Sequence, residues 1–353
     1  MNYFVIGYYA LLIGGSCLAA HYRKREVFLI LFSLTLASFV MGIVGGENAL
    51  WAVSIGAGLL ALAAGTAYSF REFLILIAGP LTARALRTAP LTAAFGMFVI
   101  FSYAVLGIFA PIIAPYGEAE VISQSFAPAD ENMLLGADQL GRDMFSRLVY
   151  GARNTVGLAL VATAIAFFIG AILGMIAAVK QGWFDQIMGR LIDVVMSIPS
   201  LIFALLLLSI LGTNLIILVI IIGVIYSPRV YRLTRAVAGN VVVMDYIEAA
   251  KLRGEGMWYL IRKEILPNST APLIAEFGLE FCFVFLLVAG LSFLGLGIQP
   301  PTADWGSMVR ENATLISFGE ITPLIPAAAI ALLTVAVNMV VDWMLYRSSG
   351  LKE

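Results

Sequence analysis

Long uninterrupted apolar runs alternate with short polar punctuation along this chain. Runs near 3–20, 27–46, 50–69, 92–113, 154–178, 191–211, 214–231, 270–294 and 322–345 each come close to the roughly 20 residues that carry a helix across a bilayer. The apolar positions are continuous rather than alternating, which predicts helices and not the strands of a barrel. The pattern therefore predicts an all-α membrane protein, a polytopic helical bundle. Its polar stretches divide it into three parts. Residues 1–70 hold three closely spaced runs, residues 71–91 form a mixed segment with Arg71, Glu72, Arg84 and Arg87, and residues 92–347 hold six runs. The mixed segment reads as amphipathic and interfacial. Within 92–347 the longer polar stretches are 114–152, 232–269 and 295–321.

Composition removes the competing classes. Hydrophobic residues make up 61% and charged residues 12% of the 353, with a mean hydropathy of +0.98. A soluble domain carries about 25% charged residues, so a soluble enzyme, a disordered chain and a secreted disulfide scaffold are excluded. A net charge of −1 gives no field for nucleic acid. Cys17 and Cys282 each sit inside an apolar run, and His21 is the only histidine. Zinc sites and histidine catalysis are thereby disfavoured, and no cofactor is expected on this chain. No lysine follows a glycine, so no P-loop is present.

Lysine and arginine placement predicts orientation. With 232–269 in the cytoplasm, 17 of the 21 basic residues fall on that side. Nine spans then put the N-terminus outside and the C-terminus inside. The first run has its charges after it, at His21-Tyr22-Arg23-Lys24-Arg25, unlike a signal peptide.

The cytoplasmic stretch carries the most information. Asp245 can cap a short helix through Glu248, Ala249, Ala250 and Leu252. Gly254 and Gly256 permit the positive φ that ends it. A second helix should run from Met257 to Ile265, with Pro267 marking its stop. Ala249 and Ala250 make one face small, which lets a helix sit deep in a partner's groove. The plain alternative is a solvated loop whose charges only set topology.

Glu248-Ala249-Ala250, then Gly254, then Pro267 resembles the Glu-Ala-Ala loop of bacterial ABC importer permeases. Four more stretches match in order: Leu135–Asp143 followed by Ser146–Arg153; Asp193–Leu201 with Ser197-Ile198-Pro199-Ser200; Leu291–Pro301; and Leu333–Asn338 with Asp342. Together they resemble the second permease subunit of the peptide/nickel (oligopeptide/dipeptide) transporter family, over roughly 88–347. The resemblance implies a six-span permease core, to which residues 1–70 add about three extra N-terminal spans. It also implies a homologous second permease, one or two cytoplasmic ABC ATPase subunits carrying ATP and Mg, and an extracytoplasmic substrate-binding protein. Glu248, Ala249, Ala250, Lys251, Arg253, Gly254 and Pro267 would form the ATPase-coupling element, in a bacterial inner membrane. Two positions depart from the family pattern: Glu264, where histidine is frequent, and Val288-Ala289, where a carboxylate is frequent.

Pathway and gate candidates follow from residues placed awkwardly in apolar runs. Glu276 and Glu280 share one helix face. They line a cavity for a cationic cargo, or are satisfied by a neighbouring helix or the interface. Pro199 should kink its span, as a hinge or as a fixed shape. Ser292, Phe293, Gly295 and Gly297 belong to an irregular backbone near a span end, a gate-adjacent position. Gly170 and Gly174 allow a close helix approach, within the chain more than between chains. Asp193 and Asp342 read as boundary residues.

The expected function is the permease subunit of an ATP-driven importer, with peptides or peptide-like solutes as favoured cargo. The alternatives are a self-contained secondary transporter or channel and, more weakly supported, a membrane-embedded enzyme.

Overall fold

A computed structural model describes residues 3–22, 25–45, 48–318, 320 and 322–348. Arg23 and Lys24, used in the sequence reading, lie outside the described residues. The chain divides into two compact units, Met1–Ile100 and Phe101–Glu353.

In the first unit, α1 (Tyr3–His21), α2 (Arg25–Gly45) and α3 (Asn48–Ile77) pack side by side. Phe28 is buried with its ring centroid 4.5 Å from that of Tyr68, and Ala19 joins them. The expected third span, 50–69, is extended: α3 runs eight residues further, and its crossing stretch is Gly58–Ile77. The first residues of the expected interfacial segment are thus part of a span. Arg71 is buried, donates from Nη1 to Ala89 O at 3.1 Å and stacks over Tyr68. The amphipathic piece shrinks to α4 (Pro80–Arg87), with Ala85 and Leu86 buried and Arg84 and Arg87 exposed. Helix α5 (Leu91–Ile108) follows, and the boundary between the units falls inside it.

The second unit is built around α6 (Met144–Lys180), α9 (Leu215–Val242), α11 (Met257–Phe293) and α13 (Leu324–Ser348). Between α6 and α9 lie α7 (Gly182–Met196) and α8 (Ser200–Leu211), bent by 84° at the Ser197-Ile198-Pro199 break. The span expected at 191–211, with its kink at Pro199, is broken there into two helices. Pro199 cannot continue α7, and in extended conformation (φ −56°, ψ 124°) it starts α8 instead. α7 is held to α9 by ion pairs of Asp193 with Arg232 and of Asp185 with Arg235. Asp193 thus has a partner on the neighbouring helix.

Six helices among the described residues are long and apolar enough to cross a membrane, or seven if α7 and α8 count as one broken span. α1 and α2 supply two shorter described apolar stretches, Ala10–Ala19 and Glu26–Leu36. The fold is all-α and polytopic.

α6 and α9 approach each other closely. A Cβ on Gly170 would lie 2.5 Å from Ser227 O and 2.9 Å from Tyr231 N. One on Gly174 would lie 2.8 Å from Tyr231 O. From the other side, a Cβ on Gly223 would lie 2.6 Å from Ile165 Cγ2. The Gly-xxx-Gly spacing thus serves packing inside the chain, where small residues let backbones meet. Gly170→Val or Gly174→Val should cost at least ~1–3 kcal/mol, the usual penalty of overpacking. Gly239→Ala, on the same α9 with nothing within 4 Å of the added carbon, should be neutral. Thermal unfolding of detergent-solubilised protein separates the two.

Candidate functional site

The loop expected at 232–269 is shorter than its sequence suggests. α9 continues to Val242 and α11 begins at Met257, leaving one separate helix, α10 (Asp245–Leu252), between them. Met244, in extended conformation (φ −79°, ψ 144°), occupies the N-cap position rather than Asp245. Asp245 and Glu248 sit in the first turn, where carboxylates favour the helix dipole. The helix ends in a Schellman arrangement. Gly254 N–H donates to Lys251 O at 2.9 Å and Glu255 N–H to Ala250 O at 3.2 Å. Gly254 alone supplies the left-handed residue, with φ +81°. Gly256 is extended (φ −76°, ψ 163°), contrary to expectation.

Pro267 does not stop a helix. α11 runs through it, and through Pro272, to Phe293. The reason is the π-helical stretch Leu260–Ile265 just before it, where the wider turn relieves the clash of a proline ring with the preceding carbonyls. Pro267 is therefore exposed on the span itself, well past α10.

α10 has two unlike faces. Ile247 and Ala250 are fully buried in a cluster with Met175 of α6, Ala238 of α9 and Ile265 and Leu273 of α11. Ala249 is exposed. The expected small face is thus split, because adjacent residues point about 100° apart on a helix. The outward side carries Asp245, Tyr246, Glu248, Ala249, Lys251, Arg253 and an 83% exposed Leu252. Val243, Met244, Trp258 and Tyr259 extend this exposed surface. Large apolar side chains mixed with charges on a small projecting element fit a protein interface.

The gate candidates separate into two groups. Ser292 and Gly297 are buried and tightly packed. Ser292 Oγ accepts from Ile298 N–H at 3.3 Å, and a Cβ on Gly297 would lie 1.9 Å from it. Ser292 thus locks a turn. Gly295 takes φ +87°, with Arg310 Nη1 2.5 Å from where its Cβ would be, and Phe293 is exposed. Beside this turn lies a cavity of about 510 Å³ lined by Arg153, Asn154, Leu158, Leu218, Gly297 and Gln299. Glu276 and Glu280 lie deeper in α11. Glu276 is half-buried, Glu280 is 2% exposed, and both are near Arg229 of α9.

Sequence reasoning missed a buried polar network at the loop end of the bundle. The expected loop 114–152 ends early, because α6 begins at Met144, capped by Asp143 accepting from Ser146 N–H at 2.7 Å. Asp138 pairs with Arg142 at 2.7 Å and with Arg147 at 3.3 Å, and both arginines reach Glu311. Asp138 also accepts from the backbone N–H groups of Leu140 and Arg142. Glu118 accepts from Asn154 and from Ala303 N–H. The expected loop 295–321 contains α12 (Trp305–Asn312), whose cap Asp304 accepts from Ser307 N–H and from the Thr155 hydroxyl. Burial pushes the Asp304 carboxyl above its usual range, and these hydrogen bonds pull it back. The only sequence signal was the Asp138-xxx-Arg142 spacing. No group of three or more metal-ligating side chains converges among the described residues.

With this geometry in hand, comparison with known proteins decides the family. The profile of the binding-protein-dependent transport system inner membrane component matches residues 170–349. The chain belongs to that family. Like other inner-membrane permease components of ABC transport systems, it is a multi-pass membrane protein. It is 34% identical over 255 residues to the di/tripeptide transport system permease protein DppC of Pseudomonas aeruginosa, covering 70% of this chain and 83% of that one. It is 34% identical over 252 residues to the dipeptide permease DppC of Alkalihalophilus pseudofirmus, with 71% and 83% covered. It is also 31% identical over 255 residues to the glutathione permease GsiD of Pectobacterium atrosepticum, with 70% and 83% covered. Roughly 100 residues of this permease have no counterpart in the match to the Pseudomonas relative.

The polar network should hold this permease's long loops together. Asp138→Ala leaves two buried guanidinium groups short of an anion and should destabilise by about 3–5 kcal/mol. Glu120→Gln, on the exposed surface of the same loop, should change stability by less than ~0.5 kcal/mol. Thermal unfolding and protease susceptibility of residues 114–143 provide the check.

Proposed function

We propose that this permease forms one half of the translocation pathway of an ATP-driven importer for peptides or peptide-like small solutes. In this reading α10 is the coupling helix that a separate cytoplasmic ATPase grips. The observation that carries the reading is the two-faced character of α10. Ile247 and Ala250 fasten it to α6, α9 and α11, while Tyr246, Glu248, Ala249 and Leu252 remain outside. A push on the outer face reaches three spans through packed side chains, so nucleotide-driven closure of the ATPase pair tilts them together. Coupling of this kind is a free energy shared between sites. ATP and Mg reside on the ATPase subunits, and this chain performs no hydrolysis.

Peptide cargo is supported by the relatives, whose names specify di- and tripeptides, dipeptides and glutathione. The remaining partners are a homologous second permease and an extracytoplasmic substrate-binding protein. The basic residues favour an inner membrane orientation with α10 in the cytoplasm, the N-terminus outside and the C-terminus inside.

The test is Ala249→Trp, a substitution on the exposed face of α10. Uptake should fall at least tenfold, with the protein inserted at normal levels and the ATPase no longer copurifying. Normal uptake and normal copurification would overturn the coupling role. Transport by the wild-type chain purified alone, without ATP, would favour a self-contained transporter instead.

A further inference from the structure

Glu280 lies about 20 Å along α11 from its end at Phe293, deep inside the span. It is 2% exposed, and its Oε2 is a buried oxygen with no hydrogen-bond partner among the described residues. Glu276 lies one turn away on the same face, half-buried. On α9, Arg229 acts electrostatically on both carboxylates. Its guanidinium carbon sits 4.7 Å from the Phe283 ring centroid and 5.5 Å from that of Tyr226. The Tyr226 hydroxyl donates to Phe283 O at 3.3 Å, fixing the aromatic pair.

Depth places these charges together. Arg229 is about 21 Å from the start of α9. Leu215 and Leu218 of α9 line the same cavity as Gly297, just beyond the end of α11, so the two distances start from the same level. Arg229 is nonetheless exposed. A guanidinium facing hydrocarbon at such depth is costly, so this face of α9 and α11 meets water or protein and not lipid tails. The arginine is spent on aromatic rings, and a carboxylate oxygen beside it lacks a donor. A buried acceptor in that condition is destabilising, more so if charged. Two carboxylates against one guanidinium suit a ligand with a compact cationic group, close to an oxygen that arginine can hold.

We propose that Glu276, Glu280 and Arg229 form a subsite inside the membrane that takes the terminal ammonium group of a peptide-like cargo. Glu280 supplies the unoccupied acceptor, Glu276 extends it toward the half-exposed side, and Arg229 swings from Phe283 to the cargo's first carbonyl oxygen. The inference rests on the importer reading and adds what the pathway recognises.

The test uses the complete complex in liposomes, with binding protein and ATP. The probes are trialanine and its analogue with a hydroxyl in place of the terminal ammonium, each at a concentration that saturates the binding protein. Wild type should move trialanine at least tenfold faster than the analogue. E280Q should lower trialanine uptake about tenfold and bring the ratio near one. E280D should restore most of the preference, and E276Q should reduce it at least threefold. An unchanged ratio in E280Q, whatever the rates, overturns the subsite and leaves the importer standing. Equal loss for both probes with a shifted pH profile marks a proton site and overturns it too. If E280Q does not assemble, E276Q decides, and an unchanged preference there is fatal. Absence of any ATP-driven uptake in wild type overturns the importer reading and the subsite with it.

Discussion

The close backbone contact between α6 and α9 is the constraint on which the rest depends. Gly170, Gly174 and Gly223 remove the side chains that would hold these helices apart. Lipid tails are as apolar as leucine, so two spans gain little by hiding apolar surface from each other. They gain by packing closely. α9 then presents Arg229, Arg232 and Arg235 at successive depths, two of them paired to α7, and continues directly toward α10. α10 is thus tied to α9 by the chain and by shared packing, and α9 in turn lies against α6.

Polar groups in this permease are sorted by how completely they are satisfied. Around Asp138, Arg142, Arg147 and Glu311 charges are deeply buried and paired on several sides, which suits a rigid cap over the bundle. On α10 the charges are exposed and scattered among large apolar side chains, which suits a surface that binds another protein. At Glu280 a buried oxygen is left over. The first condition suits holding; the other two are those that the proposed docking and recognition roles require.

Much of this was legible in the residues. Continuous apolar runs marked the helices, Glu248-Ala249-Ala250 with Gly254 marked α10 and its end, and Pro199 marked the break in a span. The rest depended on geometry that local patterns do not carry. Pro267 reads as a terminator until the π-helical stretch before it is seen to absorb the ring. Ala249 and Ala250 read as one small face, yet one is buried and the other free, because neighbouring positions on a helix diverge. Asp138 and Glu311 are far apart in sequence, and only the folded loops bring them to the same two arginines. Ser292 and Gly297 are gate candidates because the backbone is irregular there, and local patterns do not show that this irregularity is a tightly packed turn.

The limb after the bend has a mechanical cost. α8 has 12 residues, about 18 Å of helix, against a hydrocarbon layer of about 30 Å. Its flank at Ile202, Leu206 and Ile210 is uncovered within this chain. An apolar flank shorter than the hydrocarbon layer thins the bilayer around it, and the elastic penalty grows with each ångström of shortfall. A second polypeptide seated there would abolish the thinning. The membrane itself would then drive assembly, through lipid deformation relieved, before any specific contact is formed.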